Sequence, residues 1–180
     1  MLAPTIVEKQ GIVKREMLLA IKGKSRKKQI ELAKKYGISF PSPAGGCLLC
    51  EKEYASKLKD LFRHKKRIKP IDIALLKIGR HFRYKKAKIM VGRNKKENEK
   101  LRELAKDLFL FEARNVPSPL TVLDGKINKE TIKMAAALTA FYSDARDKEV
   151  EVVYGKGKLN KVIKISKPSK EAVEKLRIRW

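Results

Sequence analysis

The 180-residue sequence predicts an α+β protein, with a basic helical N-terminal segment followed by a small mixed sheet packed on a buried helix. Three observations carry this. Apolar residues recur at helical spacing up to about residue 78, the period shortens to two beyond Gly79, and a segment near 129–145 is apolar on nearly every face. The boundaries read as a basic helical segment over 1–68, a second domain over 69–165, and a helix or tail over 166–180.

In order along the chain, Ile30, Ala33 and Tyr36, with Leu32 alongside, predict a short amphipathic helix from Ser25 to Tyr36, closed by Gly37. Its first turn is Arg26, Lys27 and Lys28. Cations at a helix N-terminus oppose the macrodipole by some tenths of a kcal/mol each, so local helix stability does not select them. A bound phosphate would reverse that cost; a solvated charged end is the alternative. The PSPAGG turn at 41–46 combines fixed and permissive backbone and presents Cys47. Residues 51–63 then read as a helix with Tyr54, Leu58, Leu61 and Phe62 inward, running into Arg63, His64, Lys65, Lys66 and Arg67. Pro70 opens a further helix over 71–78.

Ala87, Ile89 and Val91 alternate with Lys86, Lys88 and Met90, the pattern of a half-buried strand. Gly92, Arg93 and Asn94 follow, and Asn94 with Glu97 forms a cap for a helix through about Ala105. Strands are expected over 108–113, 120–123, 149–154 and 161–165. The helix over 129–145 carries Ile132, Met134, Ala135, Ala136, Leu138, Phe141 and Tyr142, so it should lie buried against them.

The chain holds 45 Lys and Arg against 20 Asp and Glu, a formal charge of +25 that is spread along the sequence rather than confined to a tail. Such an excess destabilises a compact state by self-repulsion and suits a polyanionic partner, above all nucleic acid, whose phosphates release counterions when neutralised. With 43% hydrophobic residues, the chain can build a core. No apolar run approaches the ~20 residues of a membrane span. The start lacks signal-peptide features and no lipid anchor is visible, so a cytoplasmic, membrane-free protein is expected. No cofactor is expected either: neither G-x-G-x-x-G nor G-x-x-x-x-G-K-[ST] occurs, nor a Ser-Gly-Gly pyrophosphate loop.

The richest polar stretch is Arg80, His81, Phe82, Arg83 and Tyr84, where cations interleave with aromatics as in surfaces that hold phosphates and stack bases. Phe82 and Tyr84 could equally be the core face of a strand. Arg93 and Asn94 sit where a strand meets a helix N-terminus, so free amides and a guanidinium could converge on an anion, or Asn94 could serve only as a cap. Arg114 and Asn115 end an apolar strand before Pro117, Ser118 and Pro119, which puts them on a sheet rim. Cys47-Leu-Leu-Cys50 leaves three readings open: packing thiols, sulfur or redox chemistry, favoured if Cys50 opens the following helix among lysines and its thiol gains acidity there, or half of a metal site shared with another chain.

GIVKREMLLAIKGKSRKKQIELAKKYGISFPSPAGGCLLCEKEYASKLKDL resembles the segment that follows the ATP-binding PP-loop domain in thiouridine-synthase-like tRNA modification proteins. HFRYKKAKIMVGRNKKENEKLRELAKDLFLFEARNVPSPLTVL, with the buried helix and last strands, is similar to the NFACT-R (DUF814-like) RNA-binding domain fused to those proteins. The resemblance implies that Gly45, Gly46 and Cys47 belong to the tRNA-modification side, and Arg93, Asn94, Asn98, Arg114 and Asn115 to RNA binding. The PP-loop domain itself is absent from this sequence, and Phe111 and the Pro-Ser-Pro turn stand where ribosome quality-control relatives carry a histidine and a Pro-Gly turn. The expectation is therefore an RNA-binding protein, most readily a tRNA-binding module or subunit acting in thiolation beside a separate PP-loop ATP-pyrophosphatase. The alternative is a ribosome-associated or structured-RNA-binding factor without catalytic role.

Overall fold

The computed structural model describes residues 3–21, 25–40 and 47–179. The chain divides into two compact units, Met1–Gly46 and Cys47–Trp180. The first contains α1 (Ile6–Lys9) and α2 (Lys27–Lys35), with a 3₁₀ turn at Arg15–Met17 between them. Gly37, at φ +63°, follows the end of α2 as expected for a helix terminator. The PSPAGG turn lies outside the described residues.

The second unit opens with a 3₁₀ turn (Leu48–Cys50), α3 (Lys52–His64) and α4 (Pro70–Leu76), so the helix expected within 1–68 packs with the residues that follow it. Strands β1 (Arg80–Tyr84) and β2 (Ala87–Val91) form a hairpin, and α5 (Lys95–Leu104) leads to β3 (Phe109–Ala113) and β4 (Thr121–Asp124). Then come α6 (Lys129–Phe141), β5 (Glu149–Lys156), β6 (Lys161–Ser166) and α7 (Lys170–Leu176). The architecture is α+β as expected. The strand order is β1-β2-β4-β3-β5-β6, and every pairing is antiparallel, where a mixed sheet was expected.

Helices cover both faces of the sheet centre. On one face α6 brings Ala135, Ala136 and Leu138 onto Phe82, Ile89, Phe111 and Val152, with Val173 of α7 joining them. On the other, Leu75 and Ile78 at the end of α4 and Leu101 of α5 meet Met90, Leu110 and Val122. This double cover corrects two expectations. All five residues of β2 are buried, so it is a central strand and not a half-solvated one. Phe62, expected inward, is 60% exposed, because α3 turns Tyr54 and Leu61 to the core and leaves Phe62 beside them facing out.

The sheet edges are protected differently. After α7 the chain runs back along β1: the Ile178 N–H donates to the His81 carbonyl at 2.9 Å, and Phe82 and Arg177 form a bridge. At the far edge β6 carries Lys161 and Lys164 on a largely exposed strand, a charge pattern that opposes edge-to-edge pairing.

Candidate nucleic-acid interface

The alternation of β1 decides what the Arg80–Tyr84 stretch can do. Arg80, Phe82 and Tyr84 pair across the hairpin with Val91, Ile89 and Ala87, and Phe82 and Tyr84 belong to the α6-side core. His81 and Arg83 pair with Met90 and Lys88 on the face covered by α3 and α4. Phe82 is 0% exposed and stacks on no base; it is a core residue, so the stacking role expected for it is corrected. His81 is equally enclosed. Its Nε2 lies 2.8 Å from the Ile78 carbonyl oxygen and therefore donates to it. Burial first, then the nearby Lys88 and Lys57 charges, hold its pKa well below the usual histidine value, so the ring is neutral and out of reach of RNA.

Arg83 is committed inside the fold. Its guanidinium makes a two-pronged pair with the buried Asp60 carboxylate of α3, with Nε to Oδ1 at 2.9 Å. Lys65 is tied down as well, reaching Asp72 at 2.6 Å and Asp124 at 3.3 Å. Its partial burial is outweighed by these two carboxylates, which raise its pKa. Lys66 and Arg67 stand exposed in the following loop. Arg26, Lys27 and Lys28 lie exposed at the start of α2 in the first unit.

Arg80 points the other way, and there the predicted pieces meet. The end of β2, the start of α5, the Pro117-Ser118-Pro119 turn and the end of α6 enclose an open cleft of about 530 Å³. Arg80, Arg93, Asn94 and Asn98 all line it. The Arg80 guanidinium lies 4.7 Å from the centre of the Tyr142 ring, a cation–π contact that holds the side chain over the cleft, and no carboxylate among the described residues pairs with it. Lys95 is exposed at the first position of α5. Arg93 is braced by Glu97, which takes its guanidinium at 2.6 Å and its backbone N–H at 2.9 Å.

Asn94 is the α5 cap: its Oδ1 accepts the Glu97 N–H at 3.0 Å. Asn98 is a clamp, its Oδ1 accepting the Leu120 N–H at 3.1 Å while the Gly92 N–H donates to the Leu120 carbonyl at 3.0 Å. A Cβ on Gly92 would sit 2.0 Å from that Asn98 oxygen, which is why glycine ends β2. Both asparagines thus have structural work at the rim of the cleft. Arg114 and Asn115 are exposed on the β3–β4 loop, outside the cleft lining. Arg114 reaches Glu151 at 3.4 Å, and Asn115 takes the left-handed turn at φ +59° that Asn tolerates.

Tyr142, Lys95, Ser118 and Asp144 complete the cleft, and sequence reasoning missed them as site residues. Tyr142 was read as buried on the strength of its neighbours in α6. The signal available was its place at the helix end, where amphipathic Tyr commonly keeps one side in water.

Cys47 and Cys50 are both exposed free thiols in and before the 3₁₀ turn. Cys50 was expected to gain acidity at a helix start. Glu51 occupies the N-cap position of α3 instead, and the adjacent Cys47 sulfur, by hydrogen bonding and then by charge, pushes the Cys50 pKa up. Among the described residues no cluster of three or more His, Cys, Asp or Glu side chains is arranged to hold a metal, and no helix is long and apolar enough to cross a membrane.

The family model described as the NFACT protein RNA binding domain matches residues 79–177, from the start of β1 to the segment that returns along it. Among solved structures, the C-terminal of the fibronectin/fibrinogen-binding protein from Streptococcus suis is similar, at 19% identity and a TM-score of 0.51. The match covers 70% of this chain and 61% of that one, and it is a likeness of fold. No curated protein matches the sequence.

Proposed function

Because this chain belongs to the family of NFACT-protein RNA-binding domains, we propose that it grips a folded RNA by the sugar-phosphate backbone at the rim cleft, with tRNA the favoured occupant. The observation that carries the reading is the cleft's charge: Arg80 and Lys95 line it with no carboxylate partner among the described residues, beside Arg93, which is paired with Glu97, and Asp144; Arg80 is held there by an aromatic ring. The uncapped amides of Lys95 and Lys96 at the start of the ten-residue α5 add donors suited to a phosphate oxygen. Tyr142 offers a partly exposed ring at the same place.

On this reading the chain holds RNA and a separate PP-loop protein that uses ATP performs any thiolation, with the exposed Cys47 thiol as the group that would carry sulfur. Crosslinking and sequencing of the RNA bound in cells tests the occupant: tRNA should dominate. Recovery of ribosomal RNA without tRNA would favour a ribosome-associated role instead. A Cys47→Ser strain that keeps normal tRNA thiolation would remove the sulfur-carrying role and leave the RNA-holding one.

A further inference from the structure

A second basic surface lies on the same unit, on the side of β1 away from the rim cleft. Between α3, Arg83 and the chain after α7 runs a groove of about 500 Å³. Arg63 of α3 and Lys175 of the C-terminal segment line it as exposed cations, beside Lys59 and the ion-paired Arg83, Arg177 and Arg179. Asp60 is the acidic residue in the lining, and its carboxylate is taken by Arg83. Glu174, outside the lining, pairs with Arg177 and Arg179. Among the described residues Arg63 and Lys175 have no acidic partner, so the groove keeps a net positive charge.

The surface is built rather than incidental. The C-terminal segment is pinned to β1 by the Ile178–His81 hydrogen bond and the Phe82–Arg177 bridge, so its cations are carried on ordered backbone. Val173, fully buried, anchors α7 beneath it. Packing like charges along one groove is unfavourable unless an anion enters, and a nucleic-acid backbone is a polyanion that can neutralise several of them at once. Arg80 in the rim cleft and Arg83 in this groove are three residues apart on one strand, about 10 Å of extended chain, with side chains on opposite faces.

We infer that the groove between α3 and the C-terminal segment is a second RNA-backbone site, which carries the same RNA on from the rim cleft across the β1 edge. The inference rests on the RNA-holding reading above. Each phosphate engaged contributes about 0.9 to the slope of log K against log salt on a duplex, or about 0.7 on a single strand, so the groove has a measurable share of that slope.

The test uses the full chain, unfractionated tRNA as the probe, and salt titrations of three variants: R63Q/K175Q/R179Q for the groove, R80Q/K95Q for the cleft, and K126Q/K129Q/K133Q as a charge-matched control around the start of α6. The groove variant should bind roughly 10–100-fold more weakly at moderate salt and lose about 2 units of slope, with an unchanged unfolding midpoint, while the control stays within about twofold. An unchanged groove variant beside a weakened R80Q/K95Q overturns the groove and leaves the cleft reading intact. A weakened groove variant beside an unchanged R80Q/K95Q does the reverse. A control that weakens as much as the groove variant also overturns the groove, since net charge alone would then explain the loss.

Discussion

Two populations of cations lie on either side of one strand. Beneath β1 and β2, Arg83 and Lys88 of the strands and Lys57 and Lys65 of α3 and its C-terminal end lie where the sheet meets the helices. Arg83 is paired with Asp60, Lys65 with Asp72 and Asp124, and Lys57 with Glu53 at 2.9 Å and the Gly79 carbonyl at 3.1 Å. At the rim, Arg80 and Lys95 have no carboxylate partner among the described residues, and Arg80 rests on an aromatic ring. The same residue types three positions apart in sequence thus do opposite things. Those beneath the helices hold the fold together; those at the rim leave their charge for a ligand. Net charge cannot tell them apart, whereas the pairing can.

The largest effect should come from breaking the buried set. Asp60→Ala removes the carboxylate that neutralises Arg83 and faces Lys88, leaving two enclosed cations without a counter-charge. A loss of about 3–5 kcal/mol in urea denaturation is expected, the size associated with removing one partner of a buried pair. A loss under about 1 kcal/mol would mean that these cations are solvated and the two populations are not distinct.

Lys88 sharpens the comparison through pH. Burial, only partly offset by Asp60, pulls its pKa from an ordinary value of 10.5 down to about 8. Between pH 8 and 10.5 the unfolded chain therefore holds the extra proton and the folded one does not, so stability rises with pH across that window. Below pH 8 both states are protonated and the fold bears the whole cost of the buried charge, on the order of 3 kcal/mol. Lys88→Met should raise stability at pH 7 by about 2 kcal/mol and flatten the rise between pH 8 and 10.5, as read from unfolding midpoints. A rise that persists in the variant would assign it to another group.

Much of this division was hidden from the sequence for a physical reason. Periodicity located the elements well: α5 with its Asn94 cap, the apolar β3 and the buried α6 all lie within a few residues of expectation. Periodicity cannot say which elements cover a strand, and β1 shows the consequence. Arg80-His81-Phe82-Arg83-Tyr84 reads as an exposed ladder of cations and aromatics until α6 is laid on one side and α3 with α4 on the other. His81 and Phe82 then vanish into the core, Arg83 turns to Asp60, and only Arg80 is left to face the cleft. The meeting of the Gly92-Arg93-Asn94 turn with the Pro-Ser-Pro turn is legible only as two rim segments, because the β2–β4 pairing that makes them neighbours joins residues about 30 positions apart. The cations of the C-terminal segment look like a solvated tail in sequence and become a surface once that segment docks on β1.

The smallest expected stability effect belongs to the rim. Arg80→Gln with Lys95→Gln touches no ion pair and should shift stability by less than about 0.5 kcal/mol. That near-neutrality makes it the most direct test of the central claim, that the unpaired rim cations hold RNA. In salt titrations of tRNA binding, the unaltered chain should show a log K against log salt slope of several units. The double variant should bind on the order of 10-fold more weakly and lose about 1.5 units of that slope, while unfolding as the parent does. A flat salt dependence in the unaltered chain, or an unchanged slope in a fully folded double variant, would contradict the account.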